Sequence, residues 1–364
     1  MKYDIVIVGG GPAGLYTALN ISKSEVLVLE EHEKVGLPKH CAGIVGLQTA
    51  QRISRISRKL LTSSYRSIKF ITPRKTYTVT SKVPIAFHVD RPELESALAS
   101  RVESAGHKVV TSARAKPSQA LKIKALGREF AYKYLVVAEG ASGLFRKVLI
   151  GDQDRCLYAI QAIVRTKDTV EDSIYILYDT KNPDFFAWII PLDKTTLKLG
   201  FASREPHVKY LDFIEKKAGI KVAGVIERFG GIIPLYKPLK NPVVFTNVVF
   251  HGDAVPLTKP YTGGGLFSIF ELSPVLARCL DLNKPVNYIS FYRKMFYFRN
   301  MLERLVVAFL RKTRYYIPVE YVSVLSKLGF ITPFDFDNHL NVLAKSLLIL
   351  PIALPIQTLN NNVS

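Results

Sequence analysis

The fold of this chain follows from its first strand and turn, Tyr3-Asp4-Ile5-Val6-Ile7-Val8-Gly9-Gly10-Gly11-Pro12-Ala13-Gly14. An apolar, β-branched run that ends in glycines predicts a buried parallel strand leading into a helix. Gly9, Gly11 and Gly14 fit the pattern G-x-G-x-x-G. The first glycine allows the tight turn, the second lets the backbone approach a pyrophosphate, and the third lets helix and strand pack closely. The free N–H groups of the helix that begins with Pro12 and Ala13 would lie under the phosphates.

Two glutamates follow the second predicted strand at a distance that supports this interpretation. Residues 26–29, Val-Leu-Val-Leu, lead directly to Glu30 and Glu31. A carboxylate about 20 residues past the first glycine is where a ribose hydroxyl needs an acceptor. Strand, turn, helix, strand and acid in this order predict a dinucleotide site, but they leave NAD and FAD both open.

The composition is that of a folded protein with more than one domain. The chain has 364 residues, of which 48% are hydrophobic and 22% charged, and this length favours two intertwined domains. Cys41, Cys156 and Cys279 show neither metal-site spacing nor a disulfide framework, which fits a reducing cytosol. The N-terminal apolar run carries Asp4 and continues into the glycine turn, so we do not expect a signal peptide. We expect no metal and a cytoplasmic protein, peripheral at the inner face of the membrane.

The net charge of +20 limits the kinds of partner. Such a charge suits nucleic acid, an anionic membrane surface or an acidic substrate. No nucleic-acid-binding motif is present, and the basic residues are scattered except around residues 52–59. We therefore expect no nucleic-acid partner, an anionic lipid or membrane surface as the partner of the basic charge, and a monomer or weak oligomer.

Two kinds of strand pattern divide the rest of the chain. Apolar runs at 134–138 and 248–250 predict buried parallel strands, whereas alternating patterns between 157 and 202 predict a long-stranded antiparallel sheet. Hairpins are predicted at 68–80 and 122–132, and helices at 47–61, 92–102, 208–218 and 266–282. The tail from 286 to 364 is mostly helical in pattern. Its apolar stretch at 342–356 lacks the roughly 18 to 20 clean apolar residues of a spanning helix, so a core helix, membrane-surface contact and an isoprenoid-lined cavity all remain open.

A second nucleotide-contacting element decides the cofactor. Gly252-Asp253 is followed by Pro260 and by Gly263-Gly264-Gly265, which open a helix at Leu266. Asp253 is suited to hydrogen-bond ribityl hydroxyls, and the three glycines offer N–H groups and space near a second phosphate or an isoalloxazine edge. A ligand that reaches both this element and the first turn is long, and FAD is that long.

The order of these motifs resembles the flavin hydroxylase-type superfamily. The shared features are the first glycine turn, Asp90-Arg91, a Glu139-Gly140 turn with Arg146, and Gly252-Asp253-x6-Pro260. The usual aspartate of the middle turn is Glu139 here, and the serine expected three residues after its glycine is Gly143. Both changes weaken a nicotinamide site at that turn.

Within the superfamily, the chain is similar to the geranylgeranyl reductase family over about residues 1–285. Residues 183–191, Pro-Asp-Phe-Phe-Ala-Trp-Ile-Ile-Pro, resemble its P-x-x-Y-x-W-x-F-P signature, with Phe186 for the tyrosine and Ile190 for the phenylalanine. Residues 39–43, Lys-His-Cys-Ala-Gly, resemble the family's cysteine–glycine loop, and residues 230–234 match its glycine–isoleucine–proline turn. The tail after Val286 is unmatched.

The resemblance implies a fold and a domain plan. The fold class is α/β: a Rossmann-like FAD-binding domain, an interleaved antiparallel β-sheet substrate domain and a helical C-terminal region. The expected bounds are 1–66, 86–156 and 243–285 for the first, 67–85 and 157–242 for the second, and 286–364 for the third. FAD is expected to be bound non-covalently. The electron donor, NADPH or ferredoxin, is undetermined, since the chain has no second glycine fingerprint.

The resemblance also implies the chemistry, namely reduction of carbon–carbon double bonds in a geranylgeranyl chain of an archaeal-type lipid or its diphosphate precursor. Such alkenes are unactivated, so the protein must align an isoprenoid chain against the flavin, exclude water and position an acid. Cys41 is the candidate acid or flavin-tuning thiol, with Lys39 and His40 beside it, and a small packing thiol is its alternative role. Tyr261 is a further candidate proton donor. Cys156 and Cys279 are expected to be structural.

The expected site residues form three groups. The catalytic candidates are Cys41, His40 and Tyr261. The substrate-binding candidates are Phe186, Trp188, Ile190 and Tyr261, for which a plain core strand is an almost equally good interpretation. The cofactor-binding candidates are Gly9, Gly11, Pro12, Ala13, Gly14, Glu30, Glu31, Cys41, Ala42, Gly43, Arg91, Glu139, Gly140, Gly252, Asp253, Pro260, Gly263, Gly264, Gly265 and Leu266.

Two alternatives from other classes remain open. A flavin monooxygenase or halogenase shares the FAD motifs, and Phe186-x-Trp188-x-Ile190-Pro191 also resembles the halogenases' W-x-W-x-I-P with the first tryptophan replaced. A halogenase needs a lysine at the end of a tunnel from the flavin, for which Lys82 is the candidate. The second alternative is a non-catalytic flavin-binding lipid or redox protein.

Overall fold

The computed structural model describes most of the chain. It covers residues 1–119, 121–151, 156–167, 172–179, 184–205, 209–235, 237–312, 316–338, 340–342 and 345. The predicted apolar stretch 342–356 lies almost entirely outside the described residues, as do Pro183 of the signature and the first residue of the helix predicted at 208–218.

Strands and helices alternate through the first half of the chain, and helices dominate the end. The strands are β1 (Lys2–Val8), β2 (Val26–Leu29), β3 (Ile44–Val45), β4 (Leu61–Tyr65), β5 (Ser67–Ile71), β6 (Thr76–Thr80), β7 (Ala86–Val89), β8 (Lys108–Val110), β9 (Lys116–Pro117), β10 (Lys122–Ala125), β11 (Arg128–Val137), β12 (Cys156–Thr166), β13 (Ser173–Leu177), β14 (Ala187–Pro191), β15 (Thr196–Ser203), β16 (Val222–Pro234), β17 (Val243–Val244) and β18 (Val248–Phe250). The α-helices are α1 (Pro12–Leu19), α2 (Leu47–Ile56), α3 (Arg91–Ser104), α4 (Leu144–Ile150), α5 (Tyr210–Ala218), α6 (Leu266–Asp281), α7 (Tyr288–Tyr292), α8 (Phe298–Lys312) and α9 (Tyr316–Lys327).

The first sheet contains the parallel strands that the apolar runs predict, and β17, β10 and β9 join it in antiparallel pairs. Its order in the described chain is β17-β18-β11-β1-β2-β8, and β1 is parallel to both β11 and β2. The central strands are buried on both faces because helices cover them, which is why their sequences are continuous apolar runs. The chain leaves β1 toward β2 on one side and β11 lies on the other, so the carboxyl end of β1 is a switch point where open α/β sheets bind ligands.

The second sheet confirms the alternating strands but is not wholly antiparallel. Its order is β16-β12-β15-β14-β13-β5-β6, and all neighbours pair antiparallel except β13 and β5, which are parallel. The hairpin predicted at 68–80 therefore joins this sheet through a parallel edge. Sequence alternation reports which residues are buried, but it does not report which strand lies alongside, so it could not predict this pairing.

A small sheet and the C-terminal helices complete the architecture. The order β3-β7-β4 is antiparallel, and β5 and β6 of the second sheet lie between β4 and β7 in sequence. A π-helical turn, Arg293–Tyr297, joins α7 to α8. Helix α9 packs on β6 at the edge of the second sheet, so the tail is mostly helical, as predicted, over its described residues.

Several boundaries differ from the sequence-based predictions. The predicted hairpin strand at 128–132 and the parallel strand at 134–138 are one continuous strand, β11, whose first half pairs with β10 and second half with β18. The helix predicted to reach residue 61 ends at Ile56, and β4 begins at Leu61. The long strand β16, exposed over much of its length, was not predicted before residue 230 because it lacks a clear apolar alternation. The domain bounds stay a prediction.

Among the described helices, none combines the length and apolar character that crossing a bilayer requires.

Candidate active site

The first glycine turn has the geometry that its pattern predicts. Gly9 adopts φ +106°, and a Cβ there would lie 2.2 Å from the carbonyl oxygen of Ala138 on the neighbouring strand. A Cβ on Gly14 would lie 2.0 Å from the carbonyl oxygen of Gly9, so this glycine allows helix and strand to pack closely. A Cβ on Gly11 would meet nothing within 4 Å. The turn is therefore closed toward the protein at Gly9 and Gly14 and open toward a cavity at Gly11.

Glu30 lies at the end of β2, where the ribose acceptor was predicted. Its Oε2 accepts a hydrogen bond of 2.7 Å from the Gly10 N–H. Its Oε1 accepts from the His32 N–H at 2.9 Å and lies 2.6 Å from His32 Nδ1. Glu30 lines the cavity together with Glu31. The carboxylate thus holds the glycine turn and presents acceptor oxygens beside it.

The second predicted nucleotide element lies beside the first, and part of it lines the same cavity. A Cβ on Gly252, which has φ +66°, would lie 2.5 Å from Cβ of Ala13, so the two turns touch. Asp253 lines the cavity between them; burial raises its pKa, and Arg91 and His40 partly offset that rise. The residues 263–265 lie at the N-terminus of α6, a 16-residue helix, and all three line the cavity. Two helix N-termini therefore point N–H groups at one space.

Arg91 provides a test of whether this space suits FAD. Its guanidinium is ion-paired with Glu95, yet its Nε is buried and has no hydrogen-bond partner in the described structure. Burial by itself would lower the pKa of Arg91, but Glu95 and Cys41 raise it above its usual value. A buried cation with an unused donor, the open face at Gly11 and the two helix N-termini all suit an anionic dinucleotide. The residues present fit FAD.

The middle turn, Glu139-Gly140, lies beside the cavity and is held by hydrogen bonds to the start of α4. Glu139 Oε2 accepts from the Phe145 N–H at 2.8 Å and Oε1 from the Arg146 N–H at 3.0 Å, so this carboxylate caps α4. Arg146 is fully buried and donates to the Ala254 carbonyl at 3.0 Å. Glu139 and Gly140 line the cavity, whereas Arg146 joins their turn to the Gly252 turn. The glutamate that replaces the usual aspartate keeps a helix-capping role.

A single cavity of about 570 Å³ joins the nucleotide elements to an apolar compartment. The compartment is walled by strands of the second sheet and by the C-terminal helices, through residues such as Ile68, Ile176, Val307, Val319 and Phe336. Its walls are mainly aliphatic and aromatic, with a few polar residues such as Glu303 and Asp335, so the compartment suits an apolar chain rather than a polar metabolite.

The predicted aromatic wall is present in this compartment. Phe186, Trp188 and Ile190 are buried and all line the cavity. The rings of Phe186 and Trp188 meet edge to face, with centroids 6.3 Å apart. Tyr261 also lines the cavity, and its hydroxyl is hydrogen-bonded to that of Tyr178. These residues stay candidates for substrate contact.

The cysteine loop lines the cavity that contains both the nucleotide elements and the apolar wall. Cys41 lines the cavity, and its Sγ accepts from the Gly43 N–H at 3.4 Å. The loop is held on the second sheet by an ion pair of 2.8 Å between Lys39 and Glu227 and by Gln161, which donates to the His40 carbonyl at 3.2 Å. The thiol therefore lines the same cavity as the nucleotide elements and the apolar wall, and it is one of the groups that raise the pKa of Arg91. His40 is exposed and also lines the cavity, with its Nδ1 at 3.0 Å from the Pro38 carbonyl oxygen, and it stays a candidate.

Two functional candidates were missed from the sequence. Lys198 and His88 are both buried and form a hydrogen bond of 2.8 Å between Nζ and Nε2 behind the cysteine loop. Burial first, and then Lys198, lower the pKa of His88 to about 3. The indication in the sequence was that Lys198 lies within the apolar strand β15. A lysine in an alternating strand is normally predicted to face solvent, so its burial was not expected.

Some expected residues lie outside the cavity. Gly14, Gly252 and Pro260 do not line it, and the first two act through close packing instead. Lys82, the halogenase candidate, is exposed and is absent from the described lining. Cys279 is buried and burial raises its pKa, as expected for a structural thiol.

The sequence is similar to proteins named as isoprenoid reductases. No protein-family model matches the chain. It is 26% identical over 298 residues to digeranylgeranylglycerophospholipid reductase 1 of Methanococcoides burtonii, covering 74% of this chain and 72% of that one. It is 27% identical over 290 residues to geranylgeranyl diphosphate reductase of Rhodobacter capsulatus, covering 73% and 72%.

The fold is likewise shared with solved structures. A geranylgeranyl bacteriochlorophyll reductase-like protein of Thermoplasma acidophilum matches 95% of this chain and 96% of its own, with TM-score 0.79 and 18% identity. A flavin-dependent brominase matches 94% of this chain and 100% of its own, with TM-score 0.62 and 16% identity. The predicted resemblance and fold class are confirmed, and the names of these relatives are those of reductases.

Proposed function

We propose that this protein is an FAD-dependent reductase that saturates carbon–carbon double bonds of geranylgeranyl chains in archaeal-type membrane lipid biosynthesis. The observation that carries the proposal is the single cavity, whose lining includes the glycine turn, Cys41 and the apolar wall around Trp188. A long apolar chain in the compartment would bring a double bond to the end of the cofactor. The names of the relatives point to the same class of substrate.

The protein groups have three tasks in this reaction. Bound and reduced, FAD supplies a hydride. The apolar walls around Phe186 and Trp188 align the chain and exclude water, which raises the effective concentration of the reacting atoms. The Cys41 thiol delivers the proton to the second carbon of the double bond. The hydrogen-bonded pair Tyr178 and Tyr261 is a second proton source within the same cavity.

The net positive charge of the protein suits the anionic end of such a substrate. A net charge of +20 would attract an anionic head group, a diphosphate or an anionic membrane surface, at about 1 kcal/mol per well-placed lysine or arginine. We propose peripheral association with such a surface. The protein should sediment with vesicles that contain anionic lipid and be released by high salt, and equal binding to neutral vesicles would exclude this part of the proposal.

Anaerobic turnover tests the reductase proposal directly. The purified protein should be yellow, and after reduction by dithionite it should add two hydrogens per double bond to geranylgeranyl lipids, as read by mass spectrometry of the extract. A panel of prenyl diphosphates and prenyl glycerol lipids identifies the head group. NADPH and reduced ferredoxin are then compared as donors. No mass gain on any prenyl lipid would overturn the proposal.

The same experiment separates the alternatives. Halide-dependent product or rapid NADPH-dependent oxygen consumption would indicate a halogenase or monooxygenase, although Lys82 lies outside the described cavity lining. Bound FAD without turnover under any reductant would indicate a non-catalytic flavin protein.

A further inference from the structure

The segment formed by α7, the π-helical turn and α8 carries large apolar side chains on its solvent-facing side. Between residues 291 and 308 the exposed positions recur every three or four residues, and they are Phe291, Lys294, Phe298, Leu302, Leu305 and Ala308. Phe298, Leu302 and Leu305 are 61%, 53% and 67% exposed. The solvent face of a helix is normally polar. We call Phe291, Phe298, Leu302 and Leu305 the apolar stripe, and a contiguous exposed patch of this kind is typical of an interaction surface.

Basic groups border the apolar stripe. The basic residues of the segment 282–308 are Lys284, Arg293, Lys294, Arg299 and Arg304. Its one acidic residue, Glu303, is buried. The loop 237–240 packs alongside and adds the exposed Lys237 and Lys240, since Nε of Arg293 donates to the Lys240 carbonyl at 3.0 Å. The stripe therefore has a cationic border, and its own segment exposes no carboxylate.

Helix α8 is also part of the cavity wall. Glu303, Val306 and Val307 line the cavity. Val306 is partly buried and lies one helical turn after the exposed Leu302, so the cavity lining and the apolar stripe are neighbours on this helix. One helix therefore contributes both to the apolar compartment and to the exposed stripe.

The charge of the border favours a lipid bilayer over a second copy of this chain as the partner. A symmetric dimer would place the same surface patch against itself, which would bring two cationic borders together. Anionic head groups are complementary to such a border, and a helix with phenylalanine and leucine between basic residues is typical of an element that lies in the head-group region of a membrane.

We propose that α7 and α8 dock this protein on an anionic lipid bilayer, with the apolar stripe inserted among the head groups and the basic border paired with their phosphates. A lipid substrate then passes from the bilayer beside α8 into the apolar compartment. The passage of substrate rests on the proposed function, whereas the docking does not depend on it.

Sedimentation with vesicles of phosphatidylcholine and phosphatidylglycerol tests the docking without turnover. The double variant Leu302→Ser/Leu305→Ser should bind about tenfold or more weakly than the wild type, because two large side chains no longer leave water. Leu121→Ser/Leu126→Ser is the matched control and should bind like the wild type, since these leucines flank the basic strand β10 and are 52% and 51% exposed. Equal binding by the wild type and the stripe variant, or no binding by the wild type, overturns the proposal. So does a wild-type dimer in gel filtration that the stripe variant loses while it still binds vesicles.

Tryptophan fluorescence tests insertion of the stripe with single substitutions. Phe298→Trp should be quenched by vesicles whose acyl chains carry bromine, because its indole enters the lipid. Leu126→Trp, on the β10 hairpin, is the control and should show no more quenching than the wild type. Absence of additional quenching in Phe298→Trp overturns the insertion of the stripe.

Anaerobic turnover separates this proposal from the proposed function. On a prenyl lipid dispersed in detergent, Leu302→Ser/Leu305→Ser should keep the wild-type rate. On the same lipid embedded in anionic vesicles, its rate should fall about tenfold, in step with the loss of binding. Wild-type rates on both forms of the substrate would overturn the passage beside α8. If no prenyl lipid is reduced in either form while binding and quenching still depend on the stripe, the proposed function fails and the docking stands.

Discussion

Gly11 and Gly14 stand three residues apart in one turn and have opposite surroundings, so their substitution separates folding from binding. A Cβ at Gly14 would meet backbone at 2.0 Å, and we expect Gly14→Ala to lower the free energy of unfolding by about 1–3 kcal/mol. A Cβ at Gly11 meets no protein atom within 4 Å. We expect Gly11→Ala to keep the stability of the apoprotein but to weaken FAD binding about tenfold or more.

Denaturant unfolding of the apoprotein and flavin titration measure these two effects independently. Equal stability losses in both alanine variants would contradict the placement of Gly11 at the open face of the turn. Wild-type FAD affinity in Gly11→Ala would contradict its predicted approach to the pyrophosphate.

Cys41 is the residue whose substitution tests the proton donor. Cys41→Ala should retain FAD and lose about 100-fold or more of anaerobic turnover, which is the usual contribution of a general acid. Cys156→Ala is the matched control because Cys156 lies on β12 and is absent from the described cavity lining. The flavin content and initial rates of both variants are measured side by side. Full activity in Cys41→Ala would return this thiol to a packing role and leave Tyr261 as the candidate donor.

At the scale of secondary-structure elements, one carboxylate caps a helix from the far end of the chain. Gly46 precedes α2 without a side-chain cap. Asp337 Oδ2 instead accepts from the N–H groups of Gln48 and Thr49, at 2.9 and 3.2 Å, and Oδ1 accepts from the Thr49 hydroxyl at 3.0 Å. This contact joins the C-terminal segment to α2, the helix that follows the cysteine loop. Phe336, next to Asp337 in this segment, lines the cavity.

Removal of that cap should cost more than removal of an exposed one. We expect Asp337→Ala to lower the free energy of unfolding by about 1–3 kcal/mol, because buried N–H groups lose their acceptor. Asp193→Ala is the comparison: Asp193 accepts from the N–H groups of Thr195 and Thr196 in an exposed turn, where water replaces it. Urea unfolding curves measure both variants, and an equal or smaller loss in Asp337→Ala would show that α2 does not need this cap.

At the scale of the whole molecule, two buried neutral histidines predict the response to acid. Burial lowers the pKa of His251 to about 3, and burial together with Lys198 lowers that of His88 to about 3, from 6.5. Between pH 6.5 and 3 the unfolded chain binds protons that the folded protein does not. Stability therefore falls as pH falls through this window, by up to about 1.4 kcal/mol per pH unit for each histidine.

His251→Gln isolates one of the two contributions. Glutamine can still hydrogen-bond to Ser273 or Tyr288, the partners of His251 at 2.8 and 3.1 Å, but it does not titrate. The slope of unfolding free energy against pH, measured between pH 6 and 4, should be shallower in the variant than in the wild type. Parallel slopes would mean that His251 is protonated in the folded state as readily as in the unfolded chain.

Much of the nucleotide half of the site was predictable from local pattern. The turn at Gly9 follows β1, and Glu30 follows β2. The pairing of these two strands brings the turn and the carboxylate together, and apolar periodicity predicts both strands. The aromatic residues Phe186 and Trp188 were likewise found by their spacing, although the pattern alone did not distinguish a cavity wall from a plain core. The assignment of FAD needed two motifs far apart in sequence.

The sequence by itself determined the parallel sheet, its glycine turn and the alternating strands, because each depends on residues a few positions apart. Only the tertiary structure decided that β13 runs parallel to β5, that Asp337 caps α2, and that Lys198 and His88 are paired behind Cys41. These contacts join residues about 110 to 290 positions apart, and their energies depend on burial, which a local pattern does not report. The first glycine turn was therefore predictable from the sequence, whereas the buried pair of Lys198 and His88 behind the cysteine loop is seen only in the folded chain.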